Sequence, residues 1–163
     1  MDRLWAPWRM SYLKKGAKGK GCIFCLNKAG KAKRHVFLKT KHSLGILNIY
    51  PYNNGHVMVA PFRHTSSIRK LSDKEIVDLF RAVSLSQRLL DRVLKPQGYN
   101  IGINESNVAG AGITAHVHIH IVPRWKGDTN FMPALYATKV ISQSLDELLK
   151  RLKSEASRLK QHA

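Results

Sequence analysis

Acidic side chains are scarce in this chain of 163 residues: ten Asp and Glu stand against 28 Lys and Arg, a formal net charge of +18. Between Asp2 and Asp73 there is no acidic residue at all, while Lys14, Lys15, Lys18, Lys20, Lys28, Lys31, Lys33, Arg34, Lys39 and Lys41 crowd the same stretch. A lysine habit of the hyperthermophile kind brings glutamate with it, so the imbalance is read as either a bland surface bias or an attraction for polyanions such as nucleic acid and nucleotides. Cysteine is rarer still. The two present, Cys22 and Cys25, form a single C-x-x-C, which excludes a disulfide framework and points to metal or redox chemistry in a reducing compartment. No apolar run is long enough to span a bilayer. The opening "MDRLWAPWRMSYL" is interrupted by charge and proline where a secretory leader needs unbroken apolar residues. The expectation is a cytoplasmic protein with no membrane partner. There are no internal repeats.

What is present is an ordinary globular composition, 44% hydrophobic, at a length suited to one domain with a real core. "HVFLKT", "LGILNI" and "GHVMVAP" read as three strands, and "YPYNNG" as a turn in which Asn54 or Gly55 takes a positive φ. "LSDKEIVDLFRAVSLSQRLLDRVLKP" reads as an amphipathic helix. Ser72 is its N-cap with Glu75 at the capping-box position, Ile76, Leu79, Phe80, Val83, Leu90 and Leu94 form its apolar stripe, and Pro96 ends it. "YNIGINES" is a fourth strand and "NVAGAGITA" a loop of small residues. From about Ser142 a second helix places Leu145, Leu148, Leu149, Leu152 and Leu159 near one face, to cover the sheet or a subunit interface. "KKGAKGKG" reads as a basic, solvated linker, and His35, His42 and His162 as surface residues. Strands, helix, strands, helix is the order of an α+β domain with a largely antiparallel sheet.

The fifth strand carries the chemistry. In "HVHIHIVPRW", His116, His118 and His120 alternate with Val117, Ile119 and Ile121. Side chains on a strand alternate faces, so the three imidazoles share one face and the aliphatics point into the core. Pro123 ends the strand or marks an edge. Three imidazoles in a row can be a metal site, a proton relay or a nucleophile with helpers.

The same residues carry a resemblance. "HVHIHIV" has the form His-φ-His-φ-His-φ-φ, with φ hydrophobic, which resembles the signature of the histidine triad (HIT) family of nucleotide hydrolases and transferases. "LNIYPYNNGHVMVAPFRH" resembles the family's strand–turn–strand segment with its Gly-His pair, and "GINESNVAGAGITAHVHIHIVPRWKGDTNF" its phosphate loop and triad strand. "LWAPWRMSYL", "CIFC" and "VPRWKGDTNF" are similar to one branch, the prokaryotic diadenosine tetraphosphate phosphorylases and their relatives.

The resemblance implies a HIT-like fold with a mainly antiparallel five-stranded sheet and two main helices, the sheet extended across a homodimer. It implies a single domain over 1–163, in which 1–41 is the basic N-terminal segment, 42–135 the catalytic core and 140–163 the C-terminal helix. It implies cleavage of an adenine dinucleoside polyphosphate at an α-phosphate through a nucleotidyl-His118 intermediate, released to inorganic phosphate or to water. His120 and His116 would stabilise the phosphate or protonate the leaving group, and His56 would orient the triad. Asn48 is placed at the ribose hydroxyls and Asn104 at the substrate. Gly110, Gly112, Ile113 and Thr114 fall in the loop that cradles the α-phosphate, where small residues let backbone N–H groups approach an anion. One departure stands out, since Ala115 occupies a position often acidic in that branch. The resemblance further implies a structural zinc held by Cys22, Cys25, His64 and His116, a ligand set suited to tetrahedral zinc, and no organic cofactor. Three readings compete: a nucleic-acid-associated protein that removes adenylate from a polynucleotide end, a hydrolase of nucleoside phosphoramidates or other adenylyl compounds, and a metalloenzyme with the triad as ligands.

Overall fold

The computed structural model describes residues 21–25, 34–129, 141 and 143–161. The basic run 14–20 and His162 lie outside them. Five strands form one sheet: β1 (Val36–Lys39), β2 (Ser43–Leu47), β3 (Val57–Pro61), β4 (Gly98–Ile103) and β5 (Ile119–Arg124), in the spatial order β1-β2-β3-β5-β4. Every neighbouring pair is antiparallel. Among the described residues two α-helices pack with the sheet, α1 (Asp73–Leu94) and α2 (Leu145–Gln161).

Alternation along the strands divides the apolar residues between two faces. Leu47, Val57, Val59, Ile119 and Ile121 meet Leu79, Leu89 and Leu90 of α1 and Leu148 and Leu152 of α2 in the main core. The opposite face carries a smaller core: Val36, Leu44, Ile46, Met58 and Ala60, closed by Phe24 from the C-x-x-C segment. His120 pairs in register with Met58, so it belongs to this second face. The leucines of α2 lie against α1 and β1. β2 and β3 are buried along their whole length because both faces are covered.

Ser72 caps α1, with its hydroxyl accepting from the Glu75 N–H and the Glu75 carboxylate accepting from the Ser72 N–H. The stripe on α1 differs from the predicted one. Leu79, Ala82, Val83, Ser86, Leu89, Leu90 and Val93 are buried, whereas Phe80 is 50% exposed. Phe80 stands about 100° round the helix from Leu79, too far to share its contact with the sheet. Ser86 takes its place in the stripe by donating its hydroxyl to the Ala82 carbonyl (2.7 Å).

Gly55, not Asn54, takes the positive φ in the turn before β3 (+73°). Pro123 lies inside β5, opposite Tyr99. β3 has already ended beside it, since the β3 rungs stop at Ile121. The Pro123 carbonyl on that side accepts from Asn53 Nδ2 (3.0 Å), so the missing N–H costs no rung.

The histidine run is regular strand only from Ile119 onward. His116 and Val117 are drawn instead to the segment after β3, where the Val117 N–H donates to the Thr65 carbonyl (2.7 Å). His35 is buried, contrary to its predicted surface position, with Arg34 Nε donating to its Nε2 (3.0 Å). His42 is half-buried. Among the described residues no helix is long and apolar enough to cross a membrane.

Candidate active site and metal centre

His118 and His120 sit side by side at the start of β5, ring centroids 4.8 Å apart. Their hydrogen-bond partners decide which nitrogen of each ring bears a proton. A carbonyl oxygen only accepts, so His118 Nδ1–H donates to the His116 carbonyl (2.9 Å), leaving the lone pair on Nε2. A backbone N–H only donates, so His56 Nδ1 accepts from the Tyr52 N–H (3.0 Å) and the proton of neutral His56 is on Nε2. That Nε2–H donates to His120 Nδ1 (2.8 Å), which places the proton of His120 on its own Nε2. The neighbouring rings thus present one lone pair and one N–H donor.

Burial keeps these rings neutral. Desolvation, and then the facing His120 and His118, push the His56 pKa down to about 3. Desolvation and His118 take His120 to about 4. His118 is lowered too, chiefly by desolvation, with its bond to the His116 carbonyl opposing the shift. Tyr52 lies over His56 and His120, ring centroids 4.6 and 5.8 Å away.

Asn48 is buried. Its Oδ1 accepts from the Tyr50 N–H (2.9 Å) and its Nδ2 lies 3.2 and 3.5 Å from the two ring nitrogens of His56, so it packs against that ring. The small-residue loop follows β4. Asn107–Ala109 form one 3-10 turn, closed by Gly110 at φ +84°. Ser106 holds φ +72°, a region that favours glycine. The loop is tied down by Glu105, whose carboxylate accepts from Ser67 Oγ (3.0 Å) and the Ile68 N–H (2.7 Å). Gly110, Gly112 and Thr114 are exposed, and Asn104 and Ile113 half-buried. Gly110 lies beside the Asn104 side-chain amide.

His116 turns away from this pair. Its Nε2–H donates to the Pro61 carbonyl (2.9 Å). Its Nδ1 faces Cys22 Sγ (3.2 Å), Cys25 Sγ (3.7 Å) and His64 Nδ1 (3.2 Å), and His64 Nδ1 is 3.3 Å from Cys25 Sγ. The four ligand atoms lie within 4.8 Å of one another. A zinc tetrahedron with two sulfur and two nitrogen ligands separates its donor atoms by about 3.3–3.8 Å, close to the spacing found. The bond to Pro61 orients the His116 ring from its far nitrogen, as the outer partners of metal-bound imidazoles do. These residues can hold a metal ion. The resemblance assigns His116 both a phosphate contact and a metal-ligand place; Nε2 bonded to Pro61 and Nδ1 turned to the cysteines and His64 fit the second.

The structure therefore brings His56, His118 and His120 into one group, and Cys22, Cys25, His64 and His116 into another, with His116 the link. Sequence reasoning missed Phe24, Tyr52 and Glu105. Phe24 is fully buried, with its ring against His116 (5.1 Å) and His118 (4.8 Å). The only signal for it was its position inside the C-x-x-C.

The HIT domain model matches residues 29–127. The chain is 34% identical to an AP-4-A phosphorylase of Mycobacterium tuberculosis over 97% of this chain and 86% of that protein. It is 36% identical to the asymmetrical bis(5'-nucleosyl)-tetraphosphatase of Schizosaccharomyces pombe, over 63% of this chain and 56% of that one. A zinc-bound histidine triad protein of Mycobacterium smegmatis has the same fold at TM-score 0.64 and 25% identity, covering 87% of this chain and 97% of that one. With a family match over more than half its length, on the segment that holds the histidine row, the chain belongs to the HIT family.

Proposed function

We propose that this chain is a nucleotidyl-transfer enzyme that cleaves dinucleoside polyphosphates of the diadenosine tetraphosphate kind. The observation that carries the proposal is the tautomer pair: an Nε2 lone pair on His118 beside an Nε2–H on His120. His118 Nε2 attacks the α-phosphorus, forming a P–N bond as the bridging P–O bond breaks. The leaving oxygen, carrying the rest of the polyphosphate, takes hydrogen-bond support or a proton from His120 Nε2–H, and His56 keeps that donor in place. An oxygen of phosphate or water then attacks the same phosphorus, and the P–N electron pair returns to His118. Exposed loop residues Gly110, Gly112 and Thr114, with Asn104 and Ile113 beside them, serve the phosphate. Asn48 acts through His56 rather than only on ribose.

Inorganic phosphate is the preferred acceptor, on the strength of the near full-length likeness to a phosphorylase. The metal is zinc, by the donor set, its spacing and the zinc-bound relative. Held by Cys22, Cys25, His64 and His116, it supplies structure, joining the C-x-x-C segment to the sheet. Cysteines that serve as ligands rather than in a disulfide suit a cytoplasmic setting. We infer a single HIT domain over 1–163 and a homodimer formed along β4, one of the two outer strands of the sheet, where Ile101 is 45% exposed.

The test is to incubate the purified protein with diadenosine tetraphosphate, with and without inorganic phosphate, and separate the products. Phosphate-dependent ADP plus ATP is expected. AMP plus ATP without phosphate would make it a hydrolase. Equal cleavage by a His118→Ala variant would overturn the mechanism.

A further inference from the structure

Phe24 lies between the two cysteines of the metal cluster and is fully buried. The Cys25 N–H donates to the Cys22 carbonyl (3.2 Å), so the four residues make one tight turn. That turn presses the Phe24 ring down on the second face of the sheet, among Val36, Leu44, Ile46, Met58 and Ala60. There it meets the imidazole of His118 at 4.8 Å between centroids and 31° between planes. It also meets His116 at 5.1 Å and 56°.

The hydrogen bond from His118 Nδ1 to the His116 carbonyl anchors one atom of the ring. One neutral hydrogen bond resists rotation of the ring about Cβ–Cγ only weakly, and such a rotation carries Nε2 away from a fixed line of attack. A flat group packed on the ring face, here at a moderate tilt, hinders that swing. In the second small core Phe24 is the flat residue placed to do so.

We propose that Phe24 is a positioning residue for His118: the C-x-x-C turn, clamped through Cys22 and Cys25, holds the Phe24 ring against the imidazole and fixes the direction of Nε2. This rests on the reading of His118 as the nucleophile. It gives the metal cluster a bearing on the reaction with no step passing through the metal. The cluster holds the turn, the turn holds Phe24, and Phe24 holds the ring.

Phe24→Leu and Phe24→Met keep an apolar group in the small core and remove the flat face. Ile46→Val, in the same core, is the packing control. Each protein is loaded with zinc and its metal content checked. For both Phe24 variants kcat for diadenosine tetraphosphate falls about 10- to 100-fold, the scale of a misdirected attacking atom, with KM within about twofold. Imidazole 15N spectra of the resting protein show one Nδ1–H tautomer for His118 in wild type and an averaged or second population in the Phe24 variants. Ile46→Val changes neither.

An unchanged kcat, or a risen KM at constant kcat, overturns the proposal, the latter because it makes Phe24 a substrate contact. An equal loss in Ile46→Val overturns it in favour of general packing. The spectra need no turnover, so the two readings fail separately. Full activity in His118→Ala removes the nucleophile but not the restraint on its ring. Unchanged spectra in both Phe24 variants remove the restraint itself.

Discussion

At the scale of single residues, the site depends on which nitrogen of each ring carries the proton. His56 has no route to a phosphate except through His120, because its Nδ1 is held by the Tyr52 N–H and its Nε2 is spent on His120 Nδ1. A His56→Gln variant is therefore expected to lose about 10²-fold in kcat with little change in KM, read from steady-state kinetics. The same burial that keeps the rings neutral makes stability depend on pH. The folded pKa values of His56, about 3, and His120, about 4, lie below the unfolded value of 6.5. Between those limits the unfolded chain binds more protons, so stability is complete above the unfolded pKa and is lost as pH falls toward the folded ones. At about pH 5 the loss is about 2 kcal/mol for each such imidazole. Denaturant unfolding at neutral and acid pH checks this, and a His56→Gln protein should show the shallower fall. His118 and His120 were legible as neighbours through alternation, and His56 was placed beside them by the resemblance that its Gly-His pair carries. Which of its two assigned places His116 fits was not legible, because that depends on the Pro61 carbonyl, 55 residues away.

At the scale of elements, the strands and α1 came through from local patterns, since alternation and capping are properties of neighbouring residues. Their details were settled by neighbours in space. Phe80 reads as core by spacing and is half exposed, because α1 rests on the sheet along the line of Leu79, Val83 and Leu90. The turn before β3 shows the same dependence. Gly55 sits at φ +73°, and a β-carbon there would strike Leu94 and come within 3.1 Å of Pro123 Cγ. A Gly55→Ala change therefore adds a backbone penalty to an overpacked contact between the turn, the end of α1 and β5. The expected loss is about 2–4 kcal/mol, read as a lowered denaturation midpoint with the slope unchanged.

At the scale of the whole molecule, the C-x-x-C segment meets the sheet through the Cys22, Cys25, His64 and His116 group, which can hold a metal ion, and through Phe24. Ligands that come together only in the folded chain turn metal affinity into folding free energy. Removal of the metal by a strong chelator is expected to lower Tm by roughly 5–10 °C and to reduce cleavage, with both restored by zinc. Calorimetry with and without chelator checks the first part. An unchanged Tm on complete removal would show that the cluster contributes nothing to the fold.

The sequence by itself determined the α+β order, the antiparallel sheet and the row of histidines, because periodicity and turn chemistry are carried by residues within a few positions of each other. It also placed a zinc-type ligand set, through the resemblance that the C-x-x-C helps to carry. Only the tertiary structure decided how each histidine is held. A ring's tautomer and plane are set by whatever carbonyl, N–H or aromatic face lies against it. Here those partners are Pro61, Tyr52 and Phe24, brought in from other segments. Cys22 reaches His116 across 94 residues of chain. No local pattern records a contact of that length, and it is this contact that joins the C-x-x-C to the histidine row.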